Sequence, residues 1–444
     1  MNLLVYFLMT IVLVMLLFDY RSGIITVLMV ATNFGEFVYV NPNLEIGDFG
    51  GVGTIYFMDI FWLALIIVIF LKKNKLVLMN YKFSILLLAV LMLISLIIPF
   101  IINSFSIKDT ISVIRPLGNF LLLPYFIVTI VDMTEFNFFE KVLTVMVFLF
   151  LGVQVYEYIF QKRVPIRLFE KYSMFFGEDP FAVEFGGIKT GYIWSRITYL
   201  LPFNLFFGCY YFFKEKRNYG LLLIAVYLLS IMITLSRIWI IGFAFFMIII
   251  TLFLLLGSDN KYNVRVKLFA MIGTIAFAGF ILLYTSSTFN QIFDIFLLRI
   301  NSINDLADKT DSSFIGREYI LLQMISVWWE YPVFGAGFSG ISRGLVTNDL
   351  GIPNIITIFG AAGLALLGSF IKQYYDNIKV FIKNDFILFV SLISIVMMIT
   401  FMSIFSIDMF YFNVTGAILF AMGNILFNIA KQESTDNAEY TDAA

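Results

Sequence analysis

The feature that most limits what this chain can fold into is a recurring apolar run of about 18 or more residues. Each such run is long enough to cross roughly 30 Å of hydrocarbon as a helix. Inside a bilayer no water satisfies the backbone, so only helices and closed barrels can span it. A barrel would alternate in segments of about ten residues, and these runs do not alternate. Composition agrees: 61% of the residues are hydrophobic and 13% charged, with a mean hydropathy of +0.94. A soluble chain of this length would need far more polar surface to cover its core. The expectation is an all-α polytopic transmembrane bundle. It forms one integral domain over residues 1–430, and the polar tail 431–444, ending ESTDNAEYTDAA, reads as disordered.

Twelve or thirteen spans are predicted, near residues 2–18, 24–41, 54–71, 82–103, 109–131, 137–160, 193–213, 219–236, 238–256, 266–285, 354–371, 386–406 and 412–430. Asn33 and Glu36 interrupt the second. Asn2–Phe18 lacks a basic flank and a small-residue cleavage site, so it reads as a first span rather than a signal. Lysines cluster after the third and seventh spans, before the tenth and between the eleventh and twelfth: Lys72, Lys73, Lys75, Lys214, Lys216, Lys261, Lys267, Lys372, Lys379 and Lys383. With alternating spans these share one side, which the positive-inside rule makes cytoplasmic. Two long loops, 161–192 and 286–352, then face outward. No duplicated half is visible, which counts against repeat-built transporters.

Arginine behaves differently from lysine. Of 18 lysines, 13 fall on the cytoplasmic side, against only 3 of 11 arginines. The outward set is Arg115, Arg163, Arg167, Arg196, Arg237, Arg299, Arg317 and Arg343. Solubility does not choose between the two residues, but anion recognition does. Guanidinium is planar, permanently charged and grips phosphate oxygens through a fork. Arg163 and Arg167, in RVPIRLFEKYSMFF, sit beside an aromatic face and read as part of an interfacial helix. Arg115, Arg196 and Arg237 lie in apolar sequence at outer span ends, where a charge turns to a bundle interior or a wet cavity. Pro124 and Pro202, several residues after two of them, are expected to open their helices around such a cavity.

The chain contains no histidine and a single cysteine, Cys209. Imidazole metal ligands, histidine bases and an intramolecular disulfide are thereby excluded, and no metal or other cofactor is expected. Any general base must be a carboxylate. Asp349, Glu318, Glu330 and Glu157 lie on the outward side, and spacing does not choose among them.

The second outer loop holds GREYILLQMISVWWEYPVFGAGFSG, residues 316–340. Ser312 or Ser313 can cap a helix here. Ile315, Tyr319, Ile320, Met324, Val327 and Trp328 give it an apolar face. Pro332 ends it, and Gly335, Gly337 and Gly340 permit a tight turn. Arg317 falls in the expected first turn, where the helix dipole disfavours a cation, so an anionic partner is expected.

The order of TLSRIWIIGF at 234–243, Arg196 followed by Pro202, the 316–340 stretch, and FGAAGLALLGSF at 359–370 resembles the bacterial O-antigen polymerase/ligase family. The resemblance implies an enzyme of about twelve helices in the inner membrane, working at the periplasmic face. Its substrates would be undecaprenyl diphosphate-linked glycans, as donor and acceptor within the lipid bilayer, without metal or nucleic acid. A chain-length regulator and a flippase would be its pathway partners. Arg196, Arg237 and Arg317 match the family's outer arginines and would bind the diphosphate, with Arg299 and Arg115 as further candidates. Ligases of the family carry a functional histidine shortly before the glycine-bearing span. Here Ile352 lies near that place, which favours Wzy-type polymerase over ligase. Asp349 and Glu318 are the candidate catalytic carboxylates, and Tyr172, Tyr192, Trp194 and Trp328 the candidate sugar-stacking surfaces. A lipid-linked oligosaccharide flippase is the rival of another class. It would line several spans with charge at mid-membrane, whereas these arginines crowd one face.

Overall fold

The computed structural model describes residues 45–48, 54–71, 81–117, 136–160, 182–185, 188–191, 196–214, 216–234, 237–257, 266–273, 312–346, 350–405 and 414–442, with a few isolated positions besides. Over these residues the chain is helical apart from two small antiparallel hairpins. The first pairs β1 (Glu45–Asp48) with β2 (Thr54–Tyr56). Then come α1 (Phe57–Leu71), α2 (Lys82–Ile101), α3 (Ile107–Ile114) and α4 (Phe136–Phe160). The second hairpin joins β3 (Ala182–Phe185) to β4 (Ile188–Gly191) and leads to a 3-10 turn, Arg196–Leu200. After it run α5 (Leu201–Phe213), α6 (Arg217–Thr234) and α7 (Arg237–Gly257). The remainder is α8 (Ser312–Glu330), α9 (Gly340–Leu345), α10 (Gly351–Ile378), α11 (Phe381–Asn384), α12 (Phe386–Phe405) and α13 (Thr415–Asp442).

Among the described residues six helices are long and apolar enough to cross a membrane: Lys82–Ile101, Phe136–Phe160, Arg217–Thr234, Ile238–Gly257, Gly351–Ile378 and Phe386–Ile404. Each coincides with an expected span. On α2 the stripe Phe83, Leu86, Val90, Leu93, Ile97 and Phe100 is exposed, whereas Ser84, Leu88, Leu91, Ser95 and Pro99 are buried. In water that arrangement would be inverted; in a bilayer the apolar stripe meets acyl chains and the small polar residues meet neighbouring helices. The expected spans 2–18, 24–41 and 266–285 lie wholly or mostly outside the described residues.

The centre of the bundle is α5, buried on every side from Leu201 through Cys209, as an all-round apolar helix must be. It packs on α6 and α12, while α10 packs on α2, α12 and α13. Gly208 and Gly220 bring α5 and α6 into backbone contact: a Cβ on Gly220 would stand 2.5 Å from Gly208 O.

Three expectations are revised. Residues 193–213 are not one helix, because the helical part begins at Leu201 with Pro202 in its first turn. There the missing N–H leaves no bond unmade, so Pro202 starts a helix rather than opening one around a cavity. The polar tail is helical through Asp442; extending an existing helix avoids the cost of nucleation. Tyr319 is 63% exposed and does not join the buried face of α8, which consists of Met324 and Val327 with Ile320 and Trp328.

Side-chain contacts show which charges share an end of the bundle. Ser84 Oγ meets Ser369 Oγ at 2.8 Å and donates to Gln373 Oε1 at 2.9 Å, so α2 and α10 run antiparallel. Lys214 pairs with Asp385 at 2.8 Å, and Lys267 caps the last carbonyls of α5 through Phe213 O at 2.6 Å. Lys82, Lys214, Lys267, Lys372, Lys379 and Lys383 therefore gather at one end. The residues that open the 3-10 turn, α7 and α9 lie at the other.

Candidate functional site

The arginine end is built around two backbone openings. Arg196 is the first residue of the 3-10 turn and Arg237 the first of α7. Three and two residues on, their aromatic followers meet: the Tyr199 and Trp239 rings are 6.2 Å apart. Both aromatics are held from behind. Thr415 Oγ1 donates to Tyr199 O at 2.7 Å, and Tyr227 Oη donates to Trp239 O at 3.3 Å. Two segments 41 positions apart in sequence thus begin side by side, each starting with an arginine.

Beside this pair runs α4, which packs on the 3-10 turn. Glu157, in the last turn of α4, is fully buried and partnered. One turn below, Ser230 Oγ donates to Gln154 Oε1, locking α4 to α6 at this level. A buried carboxylate at a membrane helix end needs a countercharge or donors. Glu157 is therefore the one expected base candidate that the described structure sinks into the wall of this end.

The third arginine lies on α8. This helix begins at Ser312, so Arg317 is its sixth residue and not in the first turn. Dipole repulsion fades within the first turn, and its force as a sign of an anionic partner falls accordingly. Helical spacing instead sets half-buried Arg317 on the face that carries Met324 and Trp328, which packs on α10. Glu318 follows it, half-buried and partnered.

What fixes α8 is a re-entrant knot. Helix α10 is broken at Gly360, with φ +62°, roughly 14 Å along its axis from Gly351 at 1.5 Å per residue. The break frees carbonyls at Thr357 and Ile358 and amides at Ala361 and Ala362. The stretch after α8 satisfies all four. Ala336 N donates to Thr357 O at 2.9 Å, and Gly337 N donates to Ile358 O at 3.0 Å. Ala361 N donates to Pro332 O at 2.9 Å, and Ala362 N to Val333 O at 3.0 Å. Pro99 likewise leaves Ser95 O on α2 without its helical donor, and Phe338 N fills that place at 2.9 Å. Gly335 and Gly337 adopt φ +66° and +64°, and a Cβ on Gly335 would lie 2.5 Å from Ile358 C. Irregular backbone at membrane depth is tolerated only when buried in protein in this way.

Trp328 is committed to the same knot, its Nε1 donating to Thr357 Oγ1 at 3.1 Å. It is a structural residue here rather than a free stacking face. After the knot, Ser339 caps α9, and Arg343 on α9 pairs with Asp109, in the first turn of α3. Tyr331 donates to Glu330 Oε1 at 2.7 Å, and that carboxylate holds the phenol proton and raises its pKa.

Arg115 is placed differently from its expected companions. Its Nε and Nη2 donate to Asp59 Oδ1 and Oδ2 at 2.8 and 3.0 Å, and its guanidinium stacks 4.5 Å over Tyr56. The fork that would hold phosphate is filled by a carboxylate. Asp59 was not singled out in the sequence; its only local signal is its place in the first turn of α1, where it accepts a hydrogen bond from Tyr56 N at 2.9 Å. Arg299 and Asp349 lie outside the described residues, as do Tyr172, Tyr192 and Trp194, and the side chains of Arg196 and Arg237 are likewise not described. Among the described residues no group of three or more His, Cys, Asp or Glu side chains could hold a metal ion.

A bundle of long apolar helices with lipid-facing outer stripes defines a multi-pass membrane protein. Residues 221–358 match the family model described as O-antigen ligase, a match consistent with the O-antigen polymerase/ligase family. That family comprises membrane enzymes of the glycosyltransferase type, and the match supports O-antigen polymerase or ligase activity without separating the two. The matched stretch runs from α6 to the break in α10 and includes Arg237, Arg299, Arg317, Glu318 and Asp349, but not Arg196 or Arg115. No curated protein matches the chain.

Proposed function

We propose that this protein is an O-antigen polymerase, joining undecaprenyl diphosphate-linked oligosaccharide repeat units at the periplasmic face of the inner membrane. The observation that carries the reading is the side-by-side start of the two arginine-led segments at Arg196 and Arg237, at the end of the bundle away from the lysines. In this mechanism the growing glycan on its lipid diphosphate is the donor. A hydroxyl of a new lipid-linked repeat attacks the donor's anomeric carbon, the bond to the diphosphate breaks, and the lipid diphosphate departs. Arg196, Arg237 and Arg317 hold the diphosphate and stabilise the negative charge that builds on it. With no histidine in the chain, a carboxylate takes the hydroxyl proton: Asp349 or Glu318 is assigned that part.

Ligase activity is the second reading, favoured by the description of the family model. The absence of any histidine, and Ile352 near the position where the resemblance places the ligase histidine, favour polymerase. A deletion strain separates them. Single repeat units on the surface lipid mean a lost polymerase, and no repeat units at all mean a lost ligase. Within the polymerase reading, Arg237→Lys at normal protein level is expected to reduce long-chain glycan tenfold or more, because lysine keeps the charge but loses the fork. Unchanged chain length and amount would remove Arg237 from phosphate binding.

A further inference from the structure

Between α8 and α9 lies an open cleft of about 450 Å³, within the range of roughly 300–1,000 Å³ usual for small-molecule sites. None of its lining residues carries a charge. Gln323 and Ser326 form the α8 wall, and Gly340, Ile341, Gly344 and Leu345 the α9 wall. Gln323 and Ser326 are both exposed and offer an amide and a hydroxyl, groups that donate and accept alike. Tyr319 and Glu330 continue the same stripe of α8, because positions 319, 323, 326 and 330 fall on one helical face. Both are exposed. The stripe thus runs from an aromatic ring, past two neutral hydrogen-bonding groups, to a carboxylate. On the facing wall, a Cβ on Gly344 would meet nothing within 4 Å, which leaves the α9 backbone open to close approach.

This lining selects against an anion. The cation on α9, Arg343, is paired with Asp109, and no lining side chain is basic. A sugar ring presents an apolar C–H face rimmed by hydroxyls, and the cleft offers both complements: Ile341 and Leu345 for the face, Gln323 and Ser326 for the rim, with the exposed Tyr319 ring farther along the same α8 stripe. Arg317 lies on the same helix, about 9 Å along the axis from Gln323. We infer that this cleft is a saccharide subsite taking uncharged sugar residues of the lipid-linked glycan, with Gln323 and Ser326 as hydrogen-bonding residues and Tyr319 as the stacking ring. The assignment of the glycan rests on the function proposed above. It also replaces Trp328, whose indole is committed to Thr357.

The test fills the cleft from either wall with Ser326→Trp and Gly344→Trp, both at exposed positions outside the core. Leu222→Trp, also exposed but on α6 and away from the cleft, serves as the control. In a deletion host, at matched protein level, both cleft variants are expected to lower long-chain glycan at least tenfold while Leu222→Trp keeps it. In membrane vesicles, Gln323→Ala is expected to raise the concentration of lipid-linked repeat needed for half-maximal rate several-fold, with little change in the maximal rate. Wild-type polymer from both tryptophan variants, or equal loss from the control, overturns the subsite and leaves the proposed function standing. A deletion strain with no glycan defect removes the proposed function, and the subsite with it.

Discussion

At the scale of single residues, what a side chain does here follows from what already occupies its bonding groups. Arg115 and Arg317 have the same chemistry, yet the Arg115 fork is closed on Asp59. The pair is under a third exposed at both ends, 23% and 29%, and each partner's loss should cost about 1 kcal/mol. Arg115→Asp and Asp59→Arg are each expected to lower the thermal midpoint in detergent, and the double exchange to recover it, with glycan output following protein level throughout. Failure of the double exchange to recover stability would reopen Arg115 as a ligand-binding residue. Trp328 illustrates the same point, because Thr357→Val strands a half-buried indole N–H at a cost of about 1 kcal/mol. That variant should lose stability before it loses any sugar contact.

At the scale of elements, the decisive feature is an exchange of broken hydrogen bonds. Pro99 frees a carbonyl on α2, Gly360 frees carbonyls and amides on α10, and the looped stretch from Pro332 to Phe338 takes them up. Gly360→Ala places a Cβ 2.5 Å from Val333 C on backbone at φ +62°. Left-handed strain alone costs of order 1–3 kcal/mol, so a large fall in the thermal midpoint is expected. Pro99→Ala is gentler: it gives α2 back a donor that competes with Phe338 N for Ser95 O. Faster amide hydrogen exchange over residues 332–339, with α2 itself slower, is the expected result. Unchanged exchange there would mean that the proline is incidental to the knot.

At the scale of the whole molecule, Lys82, Lys214, Lys267, Lys372, Lys379 and Lys383 gather at the end opposite the starts of the 3-10 turn, α7 and α9, and the proposed function requires the latter end to face the periplasm. The native thiol does not interfere with a test, because Cys209 is fully buried. A membrane-impermeant maleimide should label Arg343→Cys in spheroplasts and Lys379→Cys only after permeabilisation. The reverse pattern would turn the protein over and place the proposed site on the wrong side for a lipid-linked glycan exported to the periplasm.

The sequence by itself determined the class of protein and much of the layout. Length and hydropathy of a run are local properties, and in a bilayer they decide a span almost alone, which is why all six described spans were legible. The separation of lysine from arginine was legible too, because it needs only span order. Helix α8 and its end before Pro332 could be read from capping, periodicity and proline chemistry, though Arg317 falls one turn deeper than expected. What only the tertiary structure decided is which broken bonds and which charges find each other. Nothing near Asp59 in the sequence points 56 residues on to Arg115. Nothing in FGAAG tells that Gly360 is bent to receive a loop, because a glycine inside an apolar helix is as often straight. The meeting of the Arg196 and Arg237 segments through Tyr199 and Trp239 has the same origin. It depends on how α5, α6 and α7 pack, and packing is a property of side-chain shape across helices that no single stretch of chain contains.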